Sequence, residues 1–175
     1  MTRRRGPDSR EVVRVIRDNV RLLGQLVPAG EVCRQESSAG GALVVRGPED
    51  VHAYLGPELA DLAQEQLRVV LLNAKSRLLG VHLVYQGGVN TIVVQLGDCF
   101  REAVRVGAAA VILVHNHPSG DPEPSPEDVR LTAEAAHAGE LLGIELVDHL
   151  VVAGAAYASL LRRGLYKPAA ATTAD

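Results

Sequence analysis

Residues 108–128 read AAAVILVHNHPSGDPEPSPED. The first seven, Ala108 to Val114, are apolar without a break, too apolar for a strand with one wet face, so they predict a strand buried on both sides. The fourteen that follow hold two histidines, four prolines and four acidic residues. Side chains at i and i+2 leave a strand on the same side, so His115 and His117 can meet one ion while Asn116 points the other way. Paired neutral imidazoles suit zinc, and a carboxylate is a usual third ligand. Asp128 is the candidate, brought back by the intervening loop. Pro118, Pro122, Pro124 and Pro126 restrict φ and thin out the conformations that loop can visit. Ser125, held out of helical geometry by Pro126, has the backbone an N-cap requires, and Asp128 completes a start signal resembling a capping box.

Ser-Pro-Glu-Asp by itself is an ordinary helix start, which accounts for Ser125 and Asp128 but for neither histidine. Two His and one Asp leave zinc a fourth position for water, the mark of a catalytic site. Water there is acidified to a pKa of about 7 and can attack a carbonyl. Such chemistry also needs a proton carrier, and no group in 115–128 is free for that task.

The rest of the chain sets the frame. Its 175 residues suit one domain with a single core. Aromatic residues are only 3% against 47% hydrophobic, so that core is built from Val, Leu, Ile and Ala. The longest apolar run, Ala108 to Val114, is too short for a bilayer, and the N-terminus MTRRRGPDSREVV has no signal-like apolar stretch. A cytoplasmic protein is the expectation. Cys33 and Cys99 offer no CxxC pairing and read as ordinary thiols. A net charge of -3 argues against tight nucleic-acid binding, since only Arg3, Arg4 and Arg5 form a basic cluster.

Residues 9–26 place Val13, Ile16, Val20 and Leu23 at helical spacing, an amphipathic helix that would pack on the domain or on a second copy to make a homodimer. With the loop after it, this helix fills residues 1–42. Beyond it the pattern predicts a short strand in GALVVRG and a helix from Pro48 towards Leu62 that breaks or bends at Gly56-Pro57. Strands follow at 66–73, 77–86 and NTIVVQL (90–96), then a helix over 98–107. After the strand at AAAVILVH come a helix from Ser125 to Leu142 that stops at Gly143, a last long strand in IELVDHLVVAG, and a closing segment AYASLLRRGLY. Residues 167–175 read as a disordered tail. Strands and helices mix without strict βαβ alternation. The fold class is α/β, a mixed β-sheet covered by helices.

The pattern H-x-H-x7-S-x2-D resembles the metal motif of the JAMM (MPN+) metalloproteases, and HNHPSGDPEPS resembles their RadC branch. The likeness runs over residues 43–166, through QEQLRVVLLNAKSRLL, QGGVN, AGELLGIELVDHLVV and YASLLRRGLY. It implies an α/β/α sandwich related to cytidine deaminases, and zinc held by His115, His117 and Asp128. It further implies that Ser125 steadies the water or the developing oxyanion and that Glu65 is the general acid/base. By the residues alone, Glu58, Glu102, Glu123 and Glu127 compete with Glu65. The activity implied is that of a zinc peptidase or isopeptidase acting on an amide bond in a protein or peptide. The alternative is a DNA-repair-associated accessory protein whose metal is structural or regulatory, although one Phe, no Trp and an acidic balance supply little for nucleic acid to stack on or track along. The chain departs from the family at VVQLGDCF, where a His-Pro-Arg-Glu sequence is usual, and at Asn73, where aspartate is common. Residues 1–42 are short for the helix-hairpin-helix region of longer relatives. His52, His82 and His137 read as structural or surface residues, and His149 as a group supporting the ligands from behind.

Overall fold

The structure, a computed structural model, describes residues 43–87 and 94–167. The expected N-terminal helix, most of the NTIVVQL strand and the tail lie outside those residues. Eight elements follow in order: α1 Pro48–Ala60, β1 Glu65–Leu72, β2 Leu78–Gly87, α2 Leu96–Val106, β3 Ala110–Asn116, α3 Pro126–Leu142, β4 Glu145–Ala153 and β5 Ala156–Ser159. The five strands form one sheet in the order β2-β1-β3-β4-β5. Only β3 and β4 run parallel, joined by α3 as a crossover helix. The sheet is therefore mixed, as the irregular alternation of elements predicts.

Strand alternation splits the core in two. Leu67, Val69, Leu71, Val111 and Leu113 pack under α2 and α3, against Phe100, Ala103 and Ala135. Val70, Leu72, Ile112, Val114, Leu150 and Val152 face the other way, onto Val51, Leu55 and Leu59 of α1. This is a helix–sheet–helix sandwich. β3 is buried along nearly its whole length because both of its faces are covered.

Three local outcomes differ from the sequence expectation. α1 does not break at Gly56-Pro57 but continues to Ala60. Pro57 stands on the exposed side, so the carbonyl it leaves unbonded at Ala53 can meet water, while Val51, Leu55 and Leu59 hold the buried side to the sheet. Of GALVVRG, the described residues 43–47 make a single bridge, Val44 to Arg77, instead of a strand. Val94 and Gln95 are not in a strand, and Leu96 already opens α2.

Two features of the sheet place its polar side chains. β1 and β3 are antiparallel with Leu67 opposite His115, and continuing that register by two residues sets Glu65 beside His117. In β4 the pairing steps from Val111–Leu146 to Ile112–Asp148, leaving Val147 as an extra bulged residue. That single residue reverses the alternation of β4, so His149 faces α3. Without the bulge it would face α1.

Candidate metal centre

Strand geometry does for His115 and His117 what their spacing predicts. Both rings leave β3 towards α3, and His117 stays tied to the sheet because its N–H donates to the Val152 carbonyl at 2.8 Å. The chain then turns sharply, with Gly120 N–H donating to the His117 carbonyl (3.1 Å) and Pro118 at the position a turn favours. His117 Nδ1 donates to the Asp121 carbonyl at 2.9 Å, which leaves Nε2 bare and pointing inward. Glu123 N–H donates to Asp121 Oδ1 at 2.9 Å, and the Glu123 carboxylate pairs with Arg163. The proline-rich loop is thus pinned at several points between the two ends of the motif.

Its far end is a complete capping box. Ser125 has extended backbone, its Oγ accepts from Asp128 N–H (3.1 Å), and Asp128 Oδ2 accepts from Ser125 N–H (2.7 Å). The Ser125 hydroxyl also donates to Oδ2, at 2.7 Å. Capping therefore occupies one carboxylate oxygen and turns the other, Oδ1, to within 3.2 Å of His115 Nε2.

The three ligand atoms converge. His115 Nε2 and His117 Nε2 are 3.0 Å apart, and His117 Nε2 lies 3.5 Å from Asp128 Oδ2. A tetrahedral zinc with arms of about 2.0–2.1 Å has ligand–ligand edges of about 3.3 Å. The two edges at His115 Nε2, 3.0 Å to His117 Nε2 and 3.2 Å to Asp128 Oδ1, match that size, and the three candidate ligand atoms all lie within 4.8 Å of one another. His115 and Asp128 are buried and His117 is half-buried, and the three form the group of His, Cys, Asp or Glu side chains found suitable for an ion among the described residues. Two imidazoles and a carboxylate crowded together without charge neutralisation would repel through their lone pairs, so the donor set fits a divalent cation.

Burial works to raise the pKa of Asp128, but its contacts with His115, His117 and the Ser125 hydroxyl outweigh it and hold the carboxyl below the usual range. His117 is raised, first by its contact with Asp128 and against its burial, with help from the Asp121 carbonyl and the charge of Glu65. Glu65 itself opens β1, half-buried, on the same sheet face as the ligands. It lines, with Ala63, Gly87, His117, Pro118 and Ser119, a pocket of about 270 Å³. Of its four competitors, Glu58 pairs with Arg68, Glu102 with Arg105 and Glu123 with Arg163, while Glu127 is exposed in the first turn of α3.

His149 stands where the sequence reading sets it, behind the ligands, with Nε2 2.8 Å from His115 Nδ1. Of the other histidines, His52 stacks on Tyr157 and His137 is exposed on α3. Asn73 accepts from Lys75 N–H (2.9 Å) and Arg77 N–H (3.1 Å) through its side-chain oxygen, a task an aspartate would perform equally, so that departure costs the turn nothing. Two residues escaped the sequence reading. Asn116 is buried with its Oδ1 accepting from Gln66 N–H (2.8 Å) and its Nδ2 donating to the Gln64 carbonyl (3.1 Å), a clamp on both neighbours of Glu65. Thr132 is buried one helical turn after Asp128 and touches His149. Its i+4 spacing from Asp128 was the available signal.

The model of the family described as "RadC-like JAB domain" matches residues 45–165. A UPF0758 protein of Roseiflexus sp. (strain RS-1) is 43% identical over 143 residues, covering 81% of this chain and 61% of the relative. One of Chloroflexus aggregans is 47% identical over 121 residues, covering 69% and 53%. The chain thus spans roughly half to three-fifths of the length of these relatives. Among the described residues no helix is long and apolar enough to cross a membrane.

Proposed function

The chain belongs to the RadC-like JAB domain family, and from that premise we propose that it is a zinc-dependent metallohydrolase of the JAMM type, a peptidase or isopeptidase that cleaves an amide bond in a protein or peptide. The observation that carries this reading is the convergence of His115, His117 and Asp128, with His115 Nε2 at tetrahedral edge lengths from both of the others, beside a pocket that His117 shares with Glu65. His115, His117 and Asp128 hold the ion. Zinc, when bound, supplies Lewis acidity that brings a water's pKa to about 7 and polarises a carbonyl. Glu65 takes a proton from the attacking water on its carboxylate and returns it to the leaving amine. Ser125 keeps Asp128 oriented through Oδ2, and rotation of its hydroxyl offers that proton to the developing oxyanion.

Glu65→Gln tests the division of roles. The variant should keep about one zinc per chain while peptide hydrolysis falls by ~10²–10⁴-fold. His115→Ala, His117→Ala and Asp128→Ala should each lose most of the zinc. Loss of zinc in Glu65→Gln, or full retention in His117→Ala, would overturn the assignment. The Glu65→Gln protein is also the form in which to trap a bound substrate.

A further inference from the structure

A hydrogen-bonded chain runs through the core beneath His115. Thr132 Oγ1 lies 2.6 Å from the backbone oxygen of Asp128 and 2.6 Å from His149 Nδ1. A hydroxyl has one proton and a carbonyl oxygen has none, so the Thr132 proton must lie on the contact with Asp128. The contact with His149 then needs a proton from the ring, and Nδ1 supplies it. His149 and Thr132 are both 0% exposed, so no water competes for these contacts and the protein's own donors and acceptors must satisfy them. With its single proton on Nδ1, His149 presents a bare Nε2 to His115 Nδ1 at 2.8 Å. That contact in turn requires a proton on His115 Nδ1. With that proton on Nδ1, the metal-binding lone pair of His115 is the one on Nε2, the nitrogen facing His117 and Asp128.

We propose that Thr132 and His149 are positioning residues that fix the tautomer of His115, so that the ring offers Nε2 to the metal before any metal arrives. Asp128 stands at both ends of the relay. Its backbone carbonyl sets the direction of the proton chain, and its side chain is the neighbouring ligand. The bulge at Val147 is what admits His149 to this face. His117 reaches the same tautomer by a different route, through the Asp121 carbonyl. The value of the relay for metal binding rests on the zinc reading above, whereas the proton order within it does not.

Two measurements separate these. In the metal-free chain, long-range proton–nitrogen NMR of the histidine rings should find His115 and His149 both protonated at Nδ1; a proton on Nε2 of either ring overturns the relay. Thr132→Val preserves shape but removes the acceptor, which frees His149 to switch tautomer and press a second donor against His115. Zinc affinity, read by chelator competition, should fall by ~10–100-fold, and Thr132→Ser should restore it. Native affinity in Thr132→Val would also overturn the relay. Should the valine variant fail to fold, the ring spectrum of the native chain still decides. A native chain with the expected ring protons and no zinc binding would overturn the zinc reading and leave the relay standing.

Discussion

Ser125→Ala removes one oxygen that serves two contacts at the start of α3. The first is the cap, in which Oγ accepts from Asp128 N–H at 3.1 Å, and whose loss costs about 1 kcal/mol. The second is the 2.7 Å hydrogen bond to Asp128 Oδ2. A bond to a charged group contributes about 1.5–3 kcal/mol. That figure must be discounted, because Oδ2 keeps the Ser125 N–H at 2.7 Å and the pair is only part-buried, so water replaces some of what is lost. We expect the metal-free protein to lose about 1.5–3 kcal/mol in all. At 2–4 °C per kcal/mol for a chain of this length, Tm should drop by about 3–12 °C. The assay is thermal unfolding by circular dichroism in excess chelator, with Ser125→Thr as the control that keeps the hydroxyl. A drop below ~1 °C, or one that appears only after zinc is added, would refute the capping argument.

Other outcomes follow from the same geometry. Because the Asp128 carboxyl is held below its ordinary range, the stability it contributes is present above its unfolded pKa of about 4 and is lost as pH falls towards the folded value. Asp128→Asn should therefore flatten the fall of Tm with pH in metal-free protein below about pH 4, and an unchanged slope would count against a carboxyl held low by its neighbours. Burial, helped by the charge of Asp98, pushes the Cys99 thiol up to about 11. In a Cys33→Ser background, Cys99 should resist a thiol reagent at neutral pH until the protein unfolds, and rapid labelling of native protein would contradict its burial. Binding to single- or double-stranded DNA near physiological salt should be no tighter than non-specific, ~10⁻⁴–10⁻⁶ M, and should weaken when residues 1–5 are removed. Submicromolar affinity that survives the truncation would favour the DNA-associated alternative.

The candidate centre was legible where its logic is local. An i, i+2 histidine pair on an apolar run, a Ser-Pro-x-Asp helix start and a glycine stop each carry their geometry within a few residues, and His115, His117, Ser125, Asp128 and Gly143 stand accordingly. Glu65 was different. Its place beside His117 depends on the pairing of two strands some fifty residues apart, which no local pattern encodes, and only the likeness to a known family singled it out. His149 lies between these cases. Its residue type is suggestive, but the face it occupies depends on one bulged residue, Val147, that the alternation of β4 cannot announce. α1 shows tertiary packing overriding a local signal, since three buried aliphatic side chains carry the helix past a proline.

Asn116 also governs how the sheet comes together. Around it β3 is aliphatic on both faces, Val111 and Leu113 on one and Ile112 and Val114 on the other. Such a strand could slide by one residue and exchange its faces with little loss of hydrophobic burial, so greasiness alone specifies its alignment poorly. The polar residues at its end forbid the slide. Shifted by one, both imidazoles would turn into the aliphatic layer under α1, and the Asn116 amide would leave the backbone groups of Gln64 and Gln66 unmatched. Each stranded buried group costs about 1–3 kcal/mol. The residues that converge at the candidate centre thereby also proofread the assembly of the strand that carries them.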